Sequence, residues 1–381
     1  MLIARAIVNK IRPPKLSPRE VQDQVDFTRA AVLTTAYVAA CERRMTDAPS
    51  AHAAGQEIVF PSNSYEKIER EISALKPLAR KRTVQLALND QVVAYFNLVH
   101  AAQTAAPPAD LHQQAIDGGR EENPDVGNSQ HVSDKGVREA IERKSVEIWR
   151  RKLLRQMLRS ELGFSTFVKD STIPGAGLGL YIEGSAPAGA VVAIYPGFVY
   201  LPEHLRDDKY AMSLLPDEQH FLMGRADGCL VDGRTAGLLP SSPLTFAHAA
   251  NHPPAGRGAN VLQVAYNFPA LGESDVGIAR GGRFPERLRP LVPNRYHRPP
   301  KVLFGGKLDL SALVETVVLV ASKGGLRDEE VFMDYRFNPN MPHPDWYTPV
   351  DQKGAEKMWA LDKRDSTAQS LFDSSWFRRN R

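Results

Sequence analysis

Apolar residues recur over the first hundred positions at the three- and four-residue spacing of a helix. Ser17-Pro18-Arg19-Glu20 reads as an N-cap, a proline at the first helical position and an acid in the first turn. Behind it Val21, Val25, Val32 and Leu33 form a stripe with Thr28 on the same face, and Phe27, Ala30 and Ala31 broaden it. A second start, Ser64-Tyr65-Glu66-Lys67, precedes Ile68, Ile72 and Leu75, and Pro77 is expected to end or bend that helix. A third segment, Val84 to Ala102, carries Leu86, Leu88, Val92, Val93, Tyr95, Phe96 and Val99 and suits a buried face. The pattern then stops. Residues 103–135 are rich in Pro, Gly, Gln, Asn and Asp and read as a flexible linker. Val137 to Leu162 resumes as a highly charged helix whose basic second half (Arg150, Arg151, Lys152, Arg155, Arg159) faces solvent or an acidic partner, solvent being the plainer reading.

The period changes to two in Ser171 to Gly197. Gly175, Gly177 and Gly179 leave one face bare, so that another molecule can lie against the main chain. Leu178, Leu180 and Ile182 alternate, Ala186-Pro187-Ala188-Gly189 turns, and Val191 to Tyr195 runs apolar: strand, turn, strand. A dinucleotide or phosphate loop needs a helix after its glycines, and Gly184, Pro187 and Gly189 forbid one here. Downstream, Gln219 to Met223 and Cys229 to Val231 are short strand candidates, and Ala312 to Ala321 reads as a buried strand. Leu271 to Pro300 is rich in Gly, Pro and Arg and reads as an irregular surface insertion.

Composition narrows the classes. At 381 residues the chain has room for two domains, or for one with extensions. A net charge of +4, evenly spread, argues against nucleic acid as the main partner. Two cysteines, Cys41 and Cys229, build neither a disulfide framework nor a zinc cluster, which points to a reducing compartment. The longest uncharged run, Gln91 to Ala109, carries Asn97, His100, Gln103 and two prolines, so no membrane span is expected. Arg5, Lys10, Arg12, Lys15 and Arg19, with no acid before Glu20, fit either a mitochondrial presequence or a plain basic helix. The expected location is intracellular: nucleus, cytoplasm or mitochondrion.

Three separated signals agree in order and context. The glycine stretch is followed by Tyr195-Pro196-Gly197, then comes Asn251-His252 with Asn260 downstream, then Glu329-Glu330 with Asp334-Tyr335 after a strand and turn. Together they resemble the SET domain of protein lysine methyltransferases, over about residues 166–337. The phrases AGAVVAIYPGFVY and GANVLQ narrow the resemblance to one subgroup. The resemblance implies a β-rich SET domain over 166–337; with the patterns read above, the chain is expected to be α+β, with an N-terminal helical region (1–102) that carries no resemblance, a linker (103–135), a charged helix (136–165) and a tail (338–381) around it. Short sheets would be knotted, with the Asp334-Tyr335 segment threading the Asn251-His252 segment to form one S-adenosylmethionine site.

Carried over by motif, the backbone of Gly177, Leu178 and Gly179 would lie along that cofactor, and Asn251 and His252 would hold its adenine and amino-acid ends. Tyr335 would stand between sulfonium and substrate, and Tyr195 would wall a lysine channel. The substrate implied is a protein lysine, histone or not. Deprotonating a free lysine at pH 7 costs about 4.6 kcal/mol, and a dry aromatic channel lowers that cost. Glu329, Glu330 and Asp334 are expected to fix the turn rather than take protons, and Phe332 and Met333 to be core.

The chain departs from the family pattern in several places, Asp328 standing where Gly is usual before Glu329-Glu330 among them. Pro253-Pro254 follows Asn251-His252 where the family has Ser-Cys, and Asn260 lies nine residues after Asn251 rather than six. No Cys-rich module follows Tyr335, so Asp345-Trp346-Tyr347 or Trp359 must close the channel. A fold that has lost catalysis and serves as a protein-interaction module stays open as the second reading, and a non-lysine acceptor as a third.

Overall fold

The computed structural model describes residues 18–47, 62–108, 111, 134–207, 221–236, 243–269, 284–298, 312–340 and 342–359. The basic leader and most of the 103–135 linker lie outside them. Among the described residues four long helices come first: α1 (Pro18–Asp47), α2 (Ser62–Ala74), α3 (Pro77–Thr104) and α4 (Asp134–Leu162). Ten short strands follow, β1 (Phe164–Asp170), β2 (Leu178–Ala186), β3 (Val191–Ile194), β4 (Gly197–Tyr200), β5 (Leu222–Gly224), β6 (Leu230–Asp232), β7 (Val261–Pro269), β8 (Asn294–Tyr296), β9 (Ala312–Ala321) and β10 (Leu326–Arg327). The short helices α5 (Pro202–Asp207) and α6 (Gln352–Trp359) complete this mixed α+β architecture.

The strands form three small sheets, ordered β1-β2-β10, β3-β9-β7 and β5-β6-β4-β8. Strand β9 carries the β-branched run read from the sequence, because both its faces are covered: Val317 to Ala321 are buried throughout. Helix α3 closes both edges of that sheet with glutamines. Gln85 donates to the Ala265 carbonyl and accepts from the Asn267 amide on β7, while Gln91 donates to the Gly189 carbonyl and accepts from the Val191 amide on β3. Each side chain stands in for a neighbouring strand and removes an open edge. Phe96 of α3 also packs on Phe268 and Phe284, so helices and sheets share one apolar core.

Three expectations change and one is extended. The buried face of α1 runs through Phe27, Ala30, Ala31, Thr34 and Tyr37, while Val25 is exposed. Small residues win there because the sheets come very close: a Cβ on Gly189 would meet the Leu33 carbonyl oxygen at 2.2 Å. Helix α2 ends at Ala74, just before Pro77, and Pro77 has a second part in opening α3 at its first turn, where its missing N–H costs nothing. The glycine stretch is a loop before it is a strand, since Gly175 and Gly177 hold φ of 77° and 72° and β2 begins only at Leu178. The Leu271 to Pro300 insertion is not all surface. Phe284 and Leu288 are fully buried, and β8 pairs in parallel with β4.

Candidate functional site

The segment Glu329–Tyr335 is threaded between two others. On one side Asn251 bridges Phe332 in parallel, and the Met333 amide donates to the Asn251 carbonyl at 2.9 Å. On the other, the Asn260 amide donates to the Phe332 carbonyl at 3.1 Å. The Asn260 side chain accepts from the Phe332 amide at 2.7 Å and donates to the Glu330 carbonyl at 2.8 Å. Asn260, named from the sequence as the downstream member of the Asn251-His252 signal, is therefore the clasp of the knot. Phe332 and Met333 are core, as expected.

Glu330 fastens this knot to the glycine loop. Its side chain is buried and accepts from the hydroxyls of Ser171 and Thr172, the Thr172 amide, the Tyr181 phenol and the Asn251 amide nitrogen. Burial pushes the carboxyl up, but the bonds from Ser171, Thr172 and Asn251 outweigh it and hold it below its usual value. Asn251 also donates to the Leu178 carbonyl at 3.0 Å. Gly179 is bare because a Cβ there would lie 2.3 Å from the Glu330 carboxylate. Nothing lies within 4 Å of a Cβ built on Gly177, and Leu178 is partly exposed, so the surface over these two residues is open although their carbonyls accept from Ser171 and Asn251.

His252 is buried and spent internally. Its Nδ1 accepts from the Tyr335 amide at 3.2 Å, which leaves Nε2 to donate to the Thr348 carbonyl at 2.8 Å. The side chains of Asn251 and His252 thus build the site's walls, and the imidazole ties the tail to Tyr335. The Tyr335 phenol donates to the Ala250 carbonyl at 3.2 Å, one residue from Asn251 and so from the ledge. Burial lifts this phenol to about 12. Tyr195 is fully enclosed, and burial, then Tyr335 and Asp232, push its hydroxyl well above the usual value. The two phenols named from the sequence are electrostatic neighbours, and both stay protonated at neutral pH.

The tail returns over Tyr335. Trp346 stands edge-on to it with ring centroids 6.1 Å apart, and Tyr347 packs on Phe337 at 4.6 Å and on His252 at 4.5 Å. The Tyr347 phenol accepts from the Phe337 amide. Trp359, the other candidate, is buried on α6, which packs against α1. Sequence reasoning missed Thr348, whose main chain leaves no signal, and gave Arg257 no role. Arg257 lies 4.4 Å above the Phe332 ring and pairs with Glu329, so the lengthened loop after His252 is held down by its own cation. Between Pro254–Gly258 of that loop and Thr348–Val350 of the tail lies a cavity of about 170 Å³. Among the described residues no group of His, Cys, Asp and Glu is arranged to hold a metal, and no helix is long and apolar enough to cross a membrane.

Comparison with known proteins gives a partial match. The chain is 26% identical over 209 residues to human SET domain-containing protein 9, covering 47% of this chain and 60% of that protein. The Pongo abelii protein of the same name matches at the same identity over 66% of its length. The chain therefore spans well under the whole of the relatives it resembles. No family model and no solved structure matches. The likeness supports a SET-domain type of protein with a methyltransferase-like fold.

Proposed function

We propose that the chain is an S-adenosylmethionine-dependent methyltransferase whose acceptor is a protein lysine. One observation supports this: the threaded segment delivers the Tyr335 phenol to the Ala250 carbonyl, next in the chain to Asn251, whose side chain holds the Leu178 end of the open glycine stretch. The site fits the cofactor in kind. The open stretch at Gly177 and Leu178, with Gly179 behind it, would offer main-chain contacts, and Asn251 and His252 would complete the set of holders. When bound, the cofactor supplies a methyl group on a positively charged sulfur, ready for in-line displacement.

The protein's own part is positioning and drying. Tyr335, with its proton committed to Ala250, presents oxygen lone pairs that receive an amine N–H and aim the nitrogen. A phenol held near 12 is no base at pH 7, so Tyr335 orients the amine and the proton leaves to water. Tyr195, Trp346 and Tyr347 supply apolar walls that favour the neutral amine. Alignment of this kind accounts for most of the barrier reduction when no covalent intermediate forms.

The second reading, a SET-fold interaction module without catalysis, is favoured by one observation. The Asn251 amide nitrogen and both ring nitrogens of His252 are engaged inside the protein, and Pro253-Pro254 stiffens the loop beside them. Calorimetric titration with S-adenosylmethionine separates the two. Wild type and Tyr335→Phe should both bind, with methyl transfer to lysine peptides or lysate protein falling about a hundredfold in the variant. Trp346→Ala should lower turnover while leaving thermal stability nearly unchanged, because the ring is 60% exposed. No binding by wild type would leave the interaction module.

A further inference from the structure

The residue after Tyr335 is held from the far end of the chain. Arg336 adopts a φ of 54°, a left-handed conformation that a residue with a side chain rarely takes unless its surroundings impose it. Its amide donates to the Asp334 carboxylate at 3.0 Å, and the Asp334 carbonyl accepts from Gln263 at 2.7 Å. Its guanidinium reaches back to helix α1 and pairs with Asp26, 310 residues earlier. Asp26 is 2% exposed, and its other oxygen accepts from Gln22 one helical turn before it at 2.9 Å. Burial raises the Asp26 carboxyl and the Arg336 cation opposes this, with Arg29 adding a smaller pull.

A buried carboxylate on a helix is an unusual anchor for a surface arginine, and its place explains it. Arg336 lies between Tyr335 and Phe337, whose ring centroids are 5.8 Å apart. Phe337 in turn carries Tyr347 through its amide and its ring. The backbone torsions of residue 336 therefore decide how the aromatic tail sits against the anchored phenol. The main chain at Tyr335 is fixed by His252, and Arg336 is the next point at which the chain could swing.

We propose that Asp26 is a positioning residue: through Arg336 the N-terminal helix α1 sets the aromatic tail against the Tyr335 phenol that it covers. The proposal rests on the Tyr335-centred reading for its functional meaning, but its structural content is independent of catalysis. On this view the helical region is part of the site's scaffold.

The test uses the full chain labelled with [¹³C]tyrosine, the Tyr335 resonance being assigned by its loss in Tyr335→Phe. In Asp26→Asn the Tyr335 and Tyr347 resonances should shift while those of the core residues Tyr95 and Tyr266 stay in place. Methyl transfer should fall about ten- to a hundredfold with S-adenosylmethionine affinity held within about twofold. Should Asp26→Asn fail to fold, the double variant Asp26→Asn/Arg336→Gln, which removes both charges together, is read the same way. An unmoved Tyr335 resonance in a folded variant overturns the proposal, as does a uniform shift of all four tyrosines. A wild type that binds no S-adenosylmethionine overturns the methyltransferase reading instead, and the resonances still decide the role of Asp26.

Discussion

Replacing Glu330 by Gln tests the fastening of the knot most directly. The carboxylate accepts five hydrogen bonds while only 2% of the residue is exposed. If the new amide oxygen takes the place that faces Thr172 and Tyr181, the amide NH₂ meets the Asn251 amide NH₂, donor against donor. Charge-assisted bonds are worth about 1 kcal/mol more than neutral ones each, and a frustrated buried donor costs about 1–3 kcal/mol. Relief from burying a charge offsets part of this, leaving about 2–4 kcal/mol. For a chain with this much ordered structure the midpoint of thermal unfolding should fall by about 5–15 °C.

The pH dependence supplies a second check. Glu330's folded value lies below the usual one, so its contribution is fully present above about 4.5. It is lost as pH falls through the folded value. The difference between wild type and Glu330→Gln should therefore be flat from pH 6 to 8 and shrink in acid. Denaturant unfolding at a series of pH values measures it. A loss below about 0.5 kcal/mol at pH 7, or one that grows on acidification, would refute the assignment.

Two further outcomes follow from the geometry. Gly179→Ala places a Cβ against the pinned carboxylate and should cost about 2–4 kcal/mol. Gly175→Ala meets open space and should cost only the roughly 1–2 kcal/mol of its left-handed backbone; denaturant midpoints that reverse this order contradict the pinning. Asp23 on α1 is raised to about 6, burial outweighing Lys81 and Arg225, so the native state takes up a proton that the unfolded chain does not. Its penalty on folding is present above pH 6 and relieved between about 6 and 4. After allowance for its partial exposure, Asp23→Asn should stabilise the protein by about 1 kcal/mol at pH 7.5 and by little at pH 4. Equal effects at both pH values would rule this out.

Local pattern carried part of this structure into the sequence. Strand β9 runs over Ala312–Ala321 as its β-branched run implies, because burial on both faces leaves no other composition free. The three motif segments were legible because each has a local signature, a glycine alternation or a pair of polar residues beside an apolar run. What stayed hidden depends on partners far along the chain. The buried stripe of α1 is set by how near Gly189 comes to Leu33, and no periodicity reports that distance. Strand β8 has only three residues and borrows its stability from β4, which lies nearly a hundred positions earlier. Arg336 looks like any surface arginine until Asp26 is found opposite it.

The polar side chains of the site argue for a particular division of labour. Both ring nitrogens of His252 and both carboxylate oxygens of Glu330 are tied up in internal hydrogen bonds, and the amide groups of Asn251 and Asn260 do not titrate. They fix three backbone segments against each other and leave a bare ledge and one protonated phenol at the surface they create. A reaction that needed a general base would require one of them to be released from the knot, at the cost of unsatisfied buried groups. A displacement on a neutral amine asks only for alignment and exclusion of water, which an arrangement with its titratable groups locked away can supply. The same locking makes the site sensitive to distant supports, so losses from Glu330 and Asp26 should appear in the methyl-transfer rate before they appear in cofactor affinity.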